Sequence, residues 1–457
     1  MRILLLAAAA AFTLPMAPAI AQTLAGNTLA VRDRALSDPT AWTVVESLTT
    51  EVGPRLVGSP AMERARDWGV ATLKRLGFEN VHVEPFAVAA WSRGAESAQV
   101  VSPYPQTLHI LGLGRSTPTP VGGLTAPIAL FRSYREMLDL PPGALAGKIA
   151  VVTERMTRTQ NGAGYGGVNA SRTQGPREAA ARGAVGYLVR SLSTDDTRLP
   201  HAGAAFAGGI PAAALSTPDA EQLERMAARG APVVVTLDLS SASNPAAPAW
   251  NVVGEIRGTS APDEVIVVGG HLDSWDAGTG AIDDGAGVAI MTAAAKLAGG
   301  EKPRRTIRVV MWGSEEQSGS GAAYAAAHKD EIGKIIVAGE SDLGAGRVYS
   351  VSLPAGSAEH PAMRAFIAGL PGLQVILSPT PPRSGGSDIE GLMSAGAPFV
   401  DFNQDASRYF DLHHSADDTL DKIKPDELAQ NVAVWASFIH AVANSDIDFR
   451  KLTPSAK

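Results

Sequence analysis

The final third of the chain alternates strand with helix. Between residues 264 and 341 the segments "EVIVVGG", "AGVAIMTAAAKLA", "RTIRVVMWG", "SGAAYAAAHKDEI" and "KIIVAGES" follow one another. Alternating β and α segments predict an α/β fold, a mostly parallel central sheet covered by helices on both faces. In such a sheet the ligand site lies beyond the carboxyl ends of the strands.

All three strand segments run into potential metal ligands. "EVIVVGG" leads to His271 and Asp273, "RTIRVVMWGS" to Glu315 and Glu316, and "KIIVAGES" to Asp342. The stretch 269–289, "GGHLDSWDAGTGAIDDGAGVA", adds Asp283 and Asp284 at the start of the next helix. A carboxylate placed there can cap free helix N–H groups, a role that suits Asp284 and leaves Asp283 the better ligand candidate. Taken singly, the glutamates read as a solvated acidic loop and Asp342 as a turn residue. Gathered on one sheet edge, they read as a metal site. "DLHHSADDTLDKI" offers the further imidazole, from His413 or His414. Adjacent residues point in different directions, so one of the two is expected to bind. His82, His109, His201, His328, His360 and His440 lack comparable acidic company and are expected to be structural; Asp276 has no assigned role.

Composition restricts the metal chemistry. The chain has no cysteine among its 457 residues, so a metal must be held by His, Asp and Glu, and no disulfide is available. With 45% hydrophobic and 19% charged residues it reads as globular, with length for two or three domains. A net charge of −7 and the lack of a basic run argue against a nucleic-acid partner. Arg2, the apolar run "ILLLAAAAAF" and the small-residue site Ala19-Ile20-Ala21 predict a signal peptide over 1–21, and hence export to the periplasm or beyond. Pro15 and Pro18 interrupt that run, which argues against a membrane anchor, and no later stretch reads as a membrane span.

The rest of the chain divides by texture. Residues 40–75 carry helical spacing in two runs separated by "VGPRLVGSP", and "GFENVHVEPFAVAAW" alternates as a strand does. From 115 to 245 turn formers, the strand-like "GALAGKIAVVTE" and the helix-strand unit "REAAARGAVGYLVRS" predict a β-rich domain inserted into another. Its end is expected at a proline-rich hinge, "SASNPAAPAW". The expected organisation is therefore 22–114 and 246–457 as two parts of one catalytic domain, with 115–245 between them.

A two-zinc site needs one carboxylate bridging ions about 3.5–4 Å apart and a free carboxylate to take the proton from water. Glu315 and Glu316, pointing apart, can supply a ligand and a base. Asp273, two residues after His271, suits the task of accepting the imidazole's other N–H.

The motifs "GGHLDSWDAGTGAIDDGAG", "WGSEEQSGSGA", "ESDLGAG" and "HHSADDT", in this order across 269–419, resemble those of the co-catalytic zinc peptidases of family M28. Within that family they are similar to the carboxypeptidase Q-like branch. "GKIAVV" and "REAAARGAVGYLVRS" resemble a protease-associated (PA) domain. The resemblance implies a zinc exopeptidase fold and two Zn2+ per chain. It makes Asp283 the bridging ligand, with His271 and Asp342 completing one zinc and Glu316 and His414 the other. His414 stands four residues before the acid-Thr pair, as the family spacing requires. Glu315 becomes the general base, Asp273 the orienter of His271, and the Asp283–Asp284 peptide bond cis. His413 stands where several relatives carry a tyrosine, which makes it a candidate oxyanion donor. "PPRSGGSDIEGL" resembles the substrate-side loop, with Ser387 and Asp388 near the pocket and Arg383 a candidate grip on a peptide carboxylate. A homodimer is also implied. The implied activity is hydrolysis of short unblocked peptides by an exported di-zinc exopeptidase of dipeptidase or aminopeptidase type. Two other readings stand beside it: a non-catalytic peptidase-like binding protein, and a single-zinc acyltransferase of the glutaminyl cyclase type.

Overall fold

The computed structural model describes residues 17–300 and 302–452. The expected leader falls mostly outside them; residues 17–21 open the helix Ala17–Ala35. The strands are β1 (Glu79–Ser102), β2 (Gln106–Leu108), β3 (Ile110–Gly112), β4 (Leu124–Phe131), β5 (Ile149–Val152), β6 (Gly186–Arg190) and β7 (Ala212–Leu215). They continue as β8 (Val234–Ile256), β9 (Ala261–His271), β10 (Arg305–Trp312), β11 (Ile335–Glu340), β12 (Val348–Ser352), β13 (Ile376–Leu377) and β14 (Asp401–Gln404). An 11-stranded sheet takes the order β11-β9-β10-β8-β4-β5-β6-β7-β3, with β1 paired to β8 and to β2. Its parallel pairings form two runs, β11-β9-β10 and β4-β5-β6-β7, joined through antiparallel β8.

The strand pleat explains why helices cover both faces of the first run. Ile266, Val268, Val309 and Met311 point one way, into a core shared with the helices Pro60–Arg75, Ala286–Gly299 and Pro425–Ala443. Val265, Val267, Val310 and Trp312 point the other way, onto Tyr324, Ile389 and Leu392. Each fully buried aliphatic side chain contributes about 1.5–3 kcal/mol, so a strand buried on both faces is strongly held in register. Ala286–Gly299 is apolar nearly all round because it lies inside the protein, between the sheet and Pro425–Ala443. No helix among the described residues is long and apolar enough to cross a membrane.

β9 lies between β10 and β11 with all three strands parallel, so their carboxyl ends share one edge. His271 stands opposite Trp312 in register, and Glu340 opposite Gly269. This order is a topological switch point: from β9 the chain goes to one side, then crosses to the other.

The expected hinge at "SASNPAAPAW" is strand. β8 runs through it, paired antiparallel with β1 in a long two-stranded ribbon. Pro245 falls at the register shift between the Val88–Ala247 and Ala90–Asn244 pairs, and Pro248 lies where β8 pairs only with β1. A proline's missing N–H costs little at a bulge or on an open strand edge, so the prolines here do not end the strand. Two further hydrophobic cores, one spanning Ala98–Leu239 and one Leu113–Ala214, are built around β4–β7.

Gly270 lets the end of β9 touch the helix that follows. A Cβ at this position would lie 2.4 Å from Asp284 Oδ2 and 2.8 Å from the Gly287 carbonyl carbon. Gly270→Ala should therefore cost about 1–3 kcal/mol by forced displacement of packed groups, read as a lower urea midpoint at unchanged slope. An unshifted midpoint would contradict this packing.

Candidate metal centre and substrate cavity

His271 ends β9 with its ring buried, and its two nitrogens have separate tasks. Nδ1 lies 3.0 Å from the backbone carbonyl of Asp273, to which it can donate, while Nε2 lies 3.1 Å from Asp283 Oδ1 and 3.4 Å from Asp342 Oδ1. A donating Nδ1 leaves the Nε2 lone pair turned toward the carboxylates. The Asp273 carboxylate, 3.5 Å from Nδ1, accepts the backbone N–H groups of Glu315 at 3.0 Å and Glu316 at 3.3 Å. Asp273 thus reaches the imidazole through its carbonyl and ties the glutamate loop to β9 through its side chain.

Asp283 lies between imidazoles. Its Oδ1 faces His271, and its Oδ2 lies 3.2 Å from His414 Nε2, which is also 3.1 Å from Glu316 Oε2. Two groups of possible ligands therefore share one carboxylate: His271 with Asp342 on one side, His414 with Glu316 on the other. Trios of ligand atoms also form as His271–Asp284–Asp342, with Asp342 half-buried, and as the buried Asp283–His413–His414. Asp284 is committed elsewhere, since its oxygens accept the N–H groups of His271 at 3.1 Å and Gly287 at 2.9 Å. It is the helix cap expected from its position, and the Asp283–Asp284 peptide bond is cis.

The histidine pair departs from the expected divergence. His414 has a left-handed φ of 60°, and this turns its ring back onto His413, with centroids 3.4 Å apart and planes inclined by 22°. Both rings therefore face Asp283, His413 Nε2 being 3.7 Å from Oδ2. A left-handed non-glycine residue costs about 1–2 kcal/mol and is held by its surroundings. Here His201 Nδ1 lies 2.7 Å from the His413 carbonyl, to which it donates, and the Ala202 N–H donates to the His414 carbonyl at 3.1 Å.

The charges do not balance within the protein. Burial would raise Asp283, yet the flanking His271 and His414 hold it well below the ordinary carboxylate range. Burial and then Asp283 push Glu316 well up, and burial raises Asp342. Glu315 is pushed to about 8 by burial, with Asp342 and Glu316 adding to it and His271 opposing. Burial disfavours a charged His271, but Asp342, Asp273 and Asp283 outweigh it and raise the imidazole well above its usual value. Burial lowers His414, favouring the neutral form that ligates metal. Two buried oxygens, Asp283 Oδ2 and Glu316 Oε1, have no hydrogen-bond partner. Crowded carboxylates with unused lone pairs, neutral imidazole and no thiol suit a borderline divalent cation.

Above this cluster lies a cavity of about 350 Å3. Its floor is Asp283, Glu315, Glu316, Asp342, His413 and His414; its roof includes Tyr165, Arg172, Thr173, Ala204, Ala205 and Phe206. Ser387 Oγ donates to Glu315 Oε1 at 2.8 Å, which places the expected substrate-side loop against this carboxylate. Asp388 is buried, accepts from Ser320 Oγ at 2.5 Å and donates its N–H to Glu340 at 3.0 Å. Arg383 is exposed and does not line the cavity. Asp276 pairs with Arg93 at 3.0 Å, tethering the loop to β1.

These features place the chain among known proteins. Residues 251–439 match the sequence pattern of Peptidase family M28. Carboxypeptidase Q of Mus musculus is 36% identical over 408 residues, covering 87% of this chain and 84% of the mouse protein. The chain belongs to peptidase family M28. Membership makes it a metallo-exopeptidase with the α/β architecture expected from the strand-helix alternation. A solved M28 peptidase precursor from Shewanella amazonensis SB2B is 42% identical, with TM-score 0.91 over 95% of this chain and 100% of that one. BSAP, a zinc aminopeptidase from Bacillus subtilis, shares the fold at 19% identity and TM-score 0.64, over 92% of this chain and 98% of its own.

One supporting residue of this M28 site gives no signal in the sequence. Arg55, inside "VGPRLVGSP", is fully buried and donates to the carbonyls of Leu272, Thr279 at 2.7 Å and Gly280 at 2.8 Å. It pins both ends of the loop between His271 and Asp283. Asp418 supports the same loop, accepting the Ile282 N–H at 2.6 Å. Arg55→Met strips these carbonyls of their donor and should cost about 3–5 kcal/mol. Urea unfolding in the presence of a chelator reads this apart from metal linkage; a loss below about 1 kcal/mol would contradict the role.

Proposed function

We propose that the chain is a di-zinc exopeptidase acting on short unblocked peptides, exported by its N-terminal leader. The observation that carries this reading is Asp283, whose two oxygens face imidazoles on opposite sides, each backed by one further carboxylate. A single-metal site has no use for the second set, which favours the hydrolase over the cyclase-type reading. The retained ligands and cavity likewise favour an enzyme over a binding protein. His271 and Asp342 would hold one ion, Glu316 and His414 the other, and Asp283 both. The ions, when bound, polarise the peptide carbonyl and lower the pKa of water.

The remaining work belongs to side chains. Glu315 takes the proton from water and returns it to the leaving amine. Ser387 holds Oε1 and leaves Oε2 without a protein partner among the described residues. Asp273 keeps Glu315 in place through its backbone N–H and keeps His271 in the tautomer with Nε2 free. His413, whose ring lies in the cavity floor, is the candidate donor to a developing oxyanion. Segment 115–245 serves as a PA-type domain whose Tyr165, Arg172, Thr173 and residues 204–206 roof the cavity and restrict it to short substrates.

Glu315→Gln should lower kcat on a dipeptide by about 10²–10⁴ while zinc per chain, read by mass spectrometry, stays at the wild-type value. Substantial remaining activity would remove Glu315 as the base. A fall in zinc content would make it a ligand.

A further inference from the structure

The two halves of the metal centre are not supported alike. His271 ends β9, a strand buried on both faces, and Asp342 follows β11, its parallel neighbour. Glu316 is tied to the β9 edge by the Asp273 carboxylate. His414 lies instead in a loop between the short helices Tyr409–Asp411 and Leu420–Lys422, with a left-handed backbone that a residue carrying a Cβ disfavours. That conformation needs support from outside the loop.

Segment 115–245 supplies it at successive carbonyls. The His413 carbonyl accepts from His201 Nδ1 at 2.7 Å, and the His414 carbonyl from the Ala202 N–H at 3.1 Å. Gly203, next in the chain, lies against the ring itself: a Cβ there would stand 2.4 Å from His414 Nδ1 and 2.6 Å from Cε1. Residues 201–203 thus hold His414 by backbone and ring together. His201 is in turn firmly anchored. It is 2% exposed, its N–H donates to Ser191 Oγ at 2.8 Å, and Ser191 Oγ donates to the Leu215 carbonyl at the end of β7 at 2.6 Å. Its Nε2 faces Asp195 Oδ1 at 3.5 Å, in a carboxylate that also accepts from Ser193 Oγ at 2.6 Å and from Thr197 Oγ1. His201 does not line the cavity, so it reaches the chemistry through the His413 backbone.

We propose that His201 is a positioning residue of the metal centre, the group by which segment 115–245 holds His414 in place for the ion shared with Glu316 and Asp283. The inference rests on the two-ion reading and goes beyond it: segment 115–245 becomes part of one ion's site and no part of the other's. Without the Nδ1 donor the buried His413 carbonyl loses this partner, and the backbone at His414 is released toward an ordinary φ. The imidazole then leaves Glu316 Oε2, which lies 3.1 Å from Nε2. His271 and Asp342 keep their own supports at the sheet edge.

The test titrates the metal-free protein with zinc against a chromophoric chelator, in the wild type, His201→Leu and His201→Asn. Leucine keeps the bulk without a donor, whereas asparagine returns an amide N–H near the place of Nδ1. His201→Leu should bind one ion about 10- to 100-fold more weakly and the other within about twofold of the wild type, and His201→Asn should recover part of the loss. Added to His271→Ala, His201→Leu should weaken the remaining ion; added to His414→Ala, it should not. Leu223→Val, which shortens a side chain in another core of the same segment, away from the cavity lining, should leave both affinities unchanged. Unchanged binding of both ions in His201→Leu, equal weakening of both, an effect that persists in His414→Ala, or an equal loss in Leu223→Val overturns the proposal. Hydrogen exchange across residues 409–418 of the metal-free proteins reads the loop without zinc, and should quicken about 3- to 10-fold in His201→Leu but not in Leu223→Val. A wild type that binds a single ion refutes the two-ion reading instead. Exchange then decides on His201, with faster exchange in His201→Leu supporting it and equal exchange overturning it.

Discussion

A single buried carboxylate, Asp283, lies between two imidazoles, one at the end of β9 and one some 140 residues later. The rest of the catalytic half serves to keep this crowd of acids together. Burial, and after it the repulsion of like charges gathered out of water, raises Glu315, Glu316 and Asp342. The arrangement is stable only if neighbouring elements bear the strain and a cation can share the unused lone pairs.

Three devices bear it. The parallel order β11-β9-β10 delivers its ligand loops to one edge, because the strands are fixed by apolar burial on both faces. The N-terminus of Ala286–Gly299 is capped by Asp284, with Gly270 making room, so Asp283 is set down beside His271. Arg55 and Asp418 then hold the intervening loop by its backbone, and His201 and Ala202 hold the His413–His414 loop from the roof side. The roof therefore does more than cover the cavity: the same segment positions the His414 imidazole beside Asp283 and carries the arginine above it.

Much of this was legible in the chain. Strand-end placement followed from alternation alone, so His271, Glu315, Glu316 and Asp342 could be assigned to one edge, and the capping chemistry of Asp284 could be separated from Asp283. What escaped depends on contacts distant in sequence. Arg55 sits in a stretch that reads as a turn, and nothing local marks it as buried. Arg172 belongs to a segment whose docking over the site is a tertiary fact. The His413–His414 pair was expected to diverge, but a left-handed backbone at His414 stacks the rings. The supposed hinge failed because proline breaks a strand only where both edges need N–H donors, and the β1–β8 ribbon leaves one edge open.

The central claim is that Asp283 is shared by two ions. Diffraction from zinc-loaded crystals, recorded on either side of the zinc absorption edge, tests it most directly. Two anomalous peaks about 3.5–4 Å apart, one beside each Asp283 oxygen, are predicted. A single peak at full loading, or a pair that Asp283 does not bridge, would contradict it.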